Sequence, residues 1–334
     1  MAKAAGVSQS TTSRALSGAG YVAPAVRDRV RVAADQLGYV PHAMARSLRQ
    51  QVSRSLGLAV SDLRNPFYAD LAAGIAAQAG ARGYTVMLVD DQSSAEDELS
   101  AARVVVSSRI AGVILTPVSG AVTSYLTSQQ VPVVEVGRQL TVGSCDAVLT
   151  DEHGLARRLT EHLVTLGHRR IALLLDPSDG TTGGHHARGF GAALDAAGLP
   201  AIPDLLVEVG GDVGAARLAA AALLGRRNRP TALLAGSSIV AEGLWHALGD
   251  LGLQVPEDVS VVALEDAGWM SMVRPGVTAG SRDGAALGAV AVDRLLARLD
   301  DPDELPRTIT LGAEILHRGS THVPLHEVPG GESR

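Results

Sequence analysis

The sequence predicts a small all-α, helix-turn-helix head joined to an α/β body of doubly wound parallel sheets with helices on both faces. Three observations carry that expectation. Gly6 and Ser8 separate two short helical stretches, the glycine giving a tight turn and the serine an oxygen to cap the next helix. Beyond residue 55, short apolar runs alternate with helical stretches, as strands and helices do in parallel-sheet folds. Charge divides at the same place. Residues 1–54 hold eight Lys and Arg against Asp28 and Asp35, a net +6, while the remainder holds 21 basic and 33 acidic residues, a net −12. A basic head on an acidic body points to a phosphate-bearing partner at one end only.

In the head, Ala2 to Ala5 form a first short segment before Gly6. The helix opened by Ser8 is small and polar and presents Gln9, Ser10, Thr11 and Arg14, side chains able to reach base edges and phosphates in a major groove. Its apolar content is only Val7, Ala15 and Leu16, too little for a helix buried in a core. Residues 17–20 make a loop, and Pro24 fits the first turn of a third helix. Val26, Val30, Ala33, Ala34 and Leu37 recur there at helical spacing, with Arg27, Arg29 and Arg31 on other faces. Ala23, at the N-cap, lacks the oxygen a cap provides. Pro41 bars continuation past Gly38-Tyr39-Val40. Ala43 to Leu48 then read as a short helix carrying Arg46, with Arg49 just beyond it, beside Met44 and Leu48. It is too short to be stable alone and needs a partner to order it.

In the body, runs 56–60, 86–89, 113–115, 133–136, 171–175, 232–234 and 259–264 read as buried strands. Helical segments lie near 67–82, 95–108, 152–166, 185–197, 212–224, 237–251 and 285–300. At 334 residues, two lobes of this kind fit the length, and with aromatics at 3% their cores rest on Ala, Val and Leu. Ligands of open α/β sheets bind beyond the carboxyl ends of strands, which directs attention to Phe67 and Tyr68 after the first strand. The single cysteine, Cys145, excludes an intramolecular disulfide and reads as a buried small apolar residue. His185 and His186 are consecutive, without Cys or acidic ligand spacing, so no metal is expected, and no cofactor. No phosphate-cradling glycine loop or nucleophile elbow is present, so no enzyme is expected. No run of 18 apolar residues and no apolar leader occur, and the expectation is a cytoplasmic protein without a membrane partner.

Ala4-Ala5-Gly6-Val7-Ser8, Ser13-Arg14-Ala15-Leu16, Leu37-Gly38-Tyr39-Val40-Pro41 and Ala45-Arg46-Ser47-Leu48 together resemble the lac-repressor/galactose-repressor family, and the likeness runs to about residue 320. The resemblance implies a sequence-specific transcriptional regulator, a dimeric repressor on a pseudo-palindromic operator. Ser8, Gln9, Ser10, Thr11 and Arg14 would serve the major groove. Residues 43–48 would be a hinge helix, with Leu48 a wedge in the minor groove beside Arg46. It divides the chain into a DNA-binding domain at 1–40, a hinge and linker at 41–54, a two-lobed effector-binding and dimerisation domain at 55–322, and a polar tail at 323–334. The body would have the type I periplasmic-binding-protein architecture, with three crossovers and a cleft for a small-molecule effector. Phe67 and Tyr68 would stack on that effector. His186 stands where the family commonly has an arginine, Ser238 where it has an aspartate, and Asp283 where a glutamine is common. Glu265-Asp266, followed by Trp269, matches a segment with two acids. Loss of both the arginine and the aspartate makes a common hexose a poor expectation and leaves a carbohydrate-like effector in doubt. The tail has no Leu heptads, so the assembly implied is a homodimer rather than a tetramer. The resemblance also places a valine at Met1 and several residues before it, so a longer product from an upstream start is expected. A solute-binding protein of the same body fold is the alternative, and the basic head argues against it.

Overall fold

A computed structural model describes residues 1–17, 21–37, 53–60, 65–90, 94–175, 181–210 and 212–324. The chain divides into two compact units, Met1–Ser55 and Leu56–Arg334.

In the first unit, α1 (Ala2–Ala5) ends at Gly6, whose left-handed φ of 65° lets its N–H turn back onto the α1 carbonyls. Helix α2 (Gln9–Ser17) starts where the sequence places it. Ser8 Oγ accepts from Thr11 N at 3.1 Å, and Ser8 O accepts from Thr12 N at 2.9 Å. Helix α3 (Pro24–Gln36) begins at Ala23, which gives no side-chain cap. Ala5, Ala15, Val22, Val30 and Ala33 close a core of small residues between the three helices. Leu37 departs from expectation: it lies past the last turn of α3 and is 57% exposed. Spacing alone counted it with the buried stripe, but the helix stops before carrying it there.

The second unit begins with β1 (Ser55–Val60), α4 (Pro66–Ala81), β2 (Thr85–Asp90), α5 (Ala95–Ser107), β3 (Gly112–Leu115), α6 (Gly120–Ser128), β4 (Val133–Val136) and β5 (Asp146–Thr150). The chain crosses to a second lobe for α7 (Glu152–Thr165), β6 (Ile171–Leu175), α8 (Thr181–Ala196), β7 (Leu206–Glu208), α9 (Val213–Leu224), β8 (Ala232–Ala235), α10 (Ser238–Asp250), β9 (Ser260–Ala263) and β10 (Thr278–Ser281). It returns for α11 (Gly284–Asp300) and β11 (Thr308–Leu311), then crosses once more to β12 (Glu314–Leu316). The sheet orders are β11-β5-β4-β3-β1-β2 and β12-β10-β9-β8-β6-β7. Each is a doubly wound sheet, and among the described pairings every one is parallel except that of β12, which runs antiparallel to β10. The three crossovers implied by the resemblance are present.

The seven apolar runs all became strands. Six are buried, as a strand covered on both faces has to be apolar throughout, whereas 86–89 lies in the edge strand β2 and is only partly covered, with Leu88 44% exposed. Elements not foreseen were short or lay at edges. β7, β11 and β12 are three or four residues long with partly exposed faces, and β5 opens on Asp146. Asp146 is fully buried, and Arg294 and Arg298 of α11 meet its two oxygens at 3.2 and 2.9 Å. A charge buried this way reads as a loop in sequence.

Two features position the cleft. α4 and α11 touch through glycines: a Cβ on Gly74 would lie 2.2 Å from Ala285 O, and one on Gly288 would lie 2.5 Å from Leu71 O. That close seating draws the second crossover against the start of α4. In the second lobe, His168 is buried and meets Thr231 Oγ1 at 2.9 Å, Ser260 Oγ at 3.0 Å and His322 O at 2.9 Å. It ties the final segment to β8 and β9, a structural role, and burial holds its pKa down at about 4. Cys145 is buried beside Thr141, and burial pushes its thiol up to about 11, which leaves it inert.

Candidate functional site

The polar face of α2 is presented outward. Ser8, Gln9, Ser10, Ser13 and Arg14 are exposed, Thr11 is half-buried, and Thr12 turns in to donate to Ser8 O at 3.0 Å. Thr11 and Ser10 also meet Ser8 Oγ, at 2.8 and 3.1 Å, so the cap and the surface share one hydroxyl. The helix thus spends its few apolar groups, Ala15 and Leu16, on the head core and turns the rest outward. Arg46, Leu48 and the expected hinge helix lie outside the described residues.

The cleft of the second unit is organised by a residue that sequence reasoning did not select. Arg282 sits in the crossover between β10 and α11, its side chain 10% exposed. Its Nη1 donates to Glu152 Oε1 at 3.1 Å, and its Nη2 is paired with Glu265 Oε1. Its Cζ lies 4.4 Å from the centroid of the Phe67 ring, a cation–π contact. Both carboxylates are fixed by other donors as well. His186 Nε2 meets Glu152 Oε2 at 2.9 Å, and Ser238 N donates to Glu265 Oε2 at 3.0 Å. Burial would raise the Glu152 pKa, but the charge of Arg282 and the His186 hydrogen bond outweigh it and hold it at about 2. Burial likewise acts to lower the Arg282 pKa, and the two glutamates more than reverse it.

Around this core the sequence-predicted residues separate into those that join the cleft and those already committed elsewhere. Phe67 is half-buried under Arg282, and Tyr68 packs edge-on to it at 5.3 Å with Arg138 Nη2 3.4 Å from its hydroxyl. His186 is buried and supports Glu152, while its Nδ1 has no hydrogen-bond partner among the described residues. Ser238 and Trp269 line a cavity of about 490 Å³ that also touches Asn65 and Pro66 of the first lobe. Trp269 leans on Trp245 at 5.9 Å. Asp266 holds Arg318 through both oxygens, at 2.7 and 2.8 Å, and lines a smaller cavity of about 220 Å³ with Phe67, Asp70, Glu265 and Arg282. Asp283 caps α11, accepting from Ala286 N at 2.8 Å, so the residue beside it, Arg282, is the one that enters the cluster. Glu152 and Arg282 were missed because the two lie 130 residues apart in the chain. The available signal was a lone arginine between a strand and a helix N-cap in an apolar region. Among the described residues no group of three or more His, Cys, Asp or Glu is placed to hold a metal, and no helix is long and apolar enough to cross a membrane.

Comparison with known proteins agrees with both halves. Residues 1–42 match the family model described as bacterial regulatory proteins, lacI family. Residues 53–312 match periplasmic binding proteins and sugar binding domain of LacI family. The chain belongs to the LacI family. Relatives within it include the ribose operon repressor of Escherichia coli K12, 30% identical over 96% of this chain and 98% of the relative. The maltose regulon regulatory protein MalI of the same strain is 31% identical over 95% and 96%. Among solved structures, the lac repressor dimer bound to operator and an anti-inducer superposes with a TM-score of 0.87 at 26% identity, covering 96% of this chain and 97% of that one. A transcriptional regulator CelR–cellobiose complex gives 0.75 at 27% identity, over 96% and 98%. The LacI-family match at the head favours a regulator over a free solute-binding protein.

Proposed function

We propose that this LacI-family chain is a cytoplasmic, homodimeric repressor that reads a pseudo-palindromic operator through α2 and is switched by a small molecule in the inter-lobe cleft. The observation that carries the reading is the outward polar face of α2, opened by the left-handed Gly6 turn, in one chain with a two-lobed body. A side chain such as Gln9 or Arg14 at the start of a groove-bound helix can bond base edges, while the basic side chains of the head meet phosphates. Two copies related by a two-fold axis would place half-sites about one helical turn apart. The lac repressor dimer on operator supports that assembly. Ribose, maltose and cellobiose in the names of relatives and a neighbour support a small-molecule effector. Two lobes joined by three crossovers form a body whose relative orientation both ligand and DNA can bias.

Selection of bound duplexes from a random DNA pool by the full chain tests this. One inverted repeat should be enriched; a pool that stays random after repeated rounds would remove the regulator reading.

A further inference from the structure

The cage around Arg282 is built by groups that do not depend on Arg282. Glu152 is oriented by His186 and by its place at the first turn of α7, and Glu265 by the N–H of Ser238 at the start of α10. Phe67 is fixed at the start of α4, where Asn65 Oδ1 caps its N–H at 3.0 Å. Two carboxylates from two elements of the second lobe, with an aromatic face of the first beside them, are complementary to one planar, multiply donating cation. The ring of Phe67, which the sequence assigned to stacking on an effector, is covered by a guanidinium of the chain itself. The Arg282, Glu152 and Glu265 side chains together carry one negative charge, which does not favour entry of an anion. A neutral ring would have to expel a guanidinium that is paired on both sides and leave buried Glu152 and partly buried Glu265 without a counter-charge.

We infer that Arg282 is the specificity-determining residue of the cleft, a tethered occupant that closes the stacking face to neutral ring sugars and marks the cage as one for guanidinium-type cations. The inference rests on the cleft being the effector site. Arg282 also spans the lobes: it precedes α11 of the first lobe, lies on Phe67 of that lobe and grips Glu265 of the second.

The experiment is chemical rescue of Arg282→Ala in the full chain, read as melting temperature and by calorimetric titration with ethylguanidinium chloride. The variant should melt below the wild type and regain stability saturably as millimolar ethylguanidinium fills the cage, with equimolar sodium chloride and urea inactive. The wild type should give no saturable response to ethylguanidinium, D-ribose or cellobiose. Glu265→Gln added to Arg282→Ala should bind ethylguanidinium roughly tenfold more weakly, the order expected when one half-buried charge pair is lost. If Arg282→Ala alone yields no folded protein, that double variant, which relieves half of the stranded charge, takes the same titration and should still show rescue. Saturable binding of either sugar by the wild type, or no response of the folded variant to ethylguanidinium, overturns the inference. No DNA enters these measurements. Rescue without operator selection would leave the cage standing and the regulator reading lost, and the reverse pattern would do the opposite.

Discussion

The α2 face and the inter-lobe cleft are both polar, yet they treat their polar groups in opposite ways. On α2, Gln9, Ser10, Ser13 and Arg14 stand exposed on a helix whose cap and packing are supplied by Ser8, Ala15 and Leu16. In the cleft, Glu152, Glu265, Arg282 and His186 are buried or nearly so and engage one another before any ligand arrives. The head offers a surface to a partner, whereas the cleft has already used its charges to hold two lobes in register. A polar group in water costs little to leave waiting, while a buried one has to be paired, and this difference separates the two regions.

The sharpest break of that contrast is Glu152→Ala. Removing Glu152 leaves Arg282 with Glu265 alone and takes the acceptor from buried His186 Nε2, and the loss should be about 1–3 kcal/mol of body stability by denaturant titration. A change under about 0.5 kcal/mol, the scale of a neutral surface substitution, would place the cluster in the same class as the head.

Acid should find the body in two steps. The His168 pKa lies below its usual 6.5, at about 4, so stability is full above 6.5 and falls as the unfolded chain takes the proton first, between 6.5 and about 4. The Glu152 pKa is lowered from 4.5 to about 2, so its contribution is present above 4.5 and is lost as pH falls from there toward 2. Melting temperature against pH should therefore decline in the upper window and again in the lower one. His168→Gln should flatten only the upper decline, and unchanged curves would dissociate these groups from stability.

Smaller effects belong to the head. Gly6→Val forces a β-branched residue into a left-handed turn and should cost about 1–2 kcal/mol of head stability, read in the full chain by loss of DNA affinity. Ser8→Ala removes the hydroxyl that accepts from Thr11 N and should cost about 1 kcal/mol, with Ser8→Asp largely restoring it. Equal DNA affinity for the alanine and aspartate forms would deny the cap its part in presenting α2.

The same contrast explains what could be read from the sequence. α1, the Gly6 turn, the Ser8 cap, α2 and α3 were legible because each is decided by neighbours within about one helical turn. The two-lobed alternation was legible because strands buried on both faces have to be apolar. Helix α6, opening on Gly120 with no acidic first turn, and the short strands β7, β11 and β12 carried no such local pattern and exist through tertiary packing. In the cleft, the positions of Phe67, His186 and Ser238 were found by resemblance, but their roles depend on Glu152 and Arg282, which meet only once the two crossovers lie side by side. Asp283 and Arg282 adjoin in sequence, and only the fold reveals that the first caps a helix while the second enters the cage.

The division of labour between the two regions is tested most directly by one ratio: affinity for the selected inverted repeat over affinity for a scrambled duplex, at fixed salt, for the wild type and Arg14→Ala. Loss of a base-edge contact costs about 1–3 kcal/mol in each half-site, so the ratio should collapse by tenfold or more while scrambled-duplex binding changes little. A ratio unchanged by Arg14→Ala would contradict the account, because sequence discrimination would then reside somewhere other than the outward face of α2.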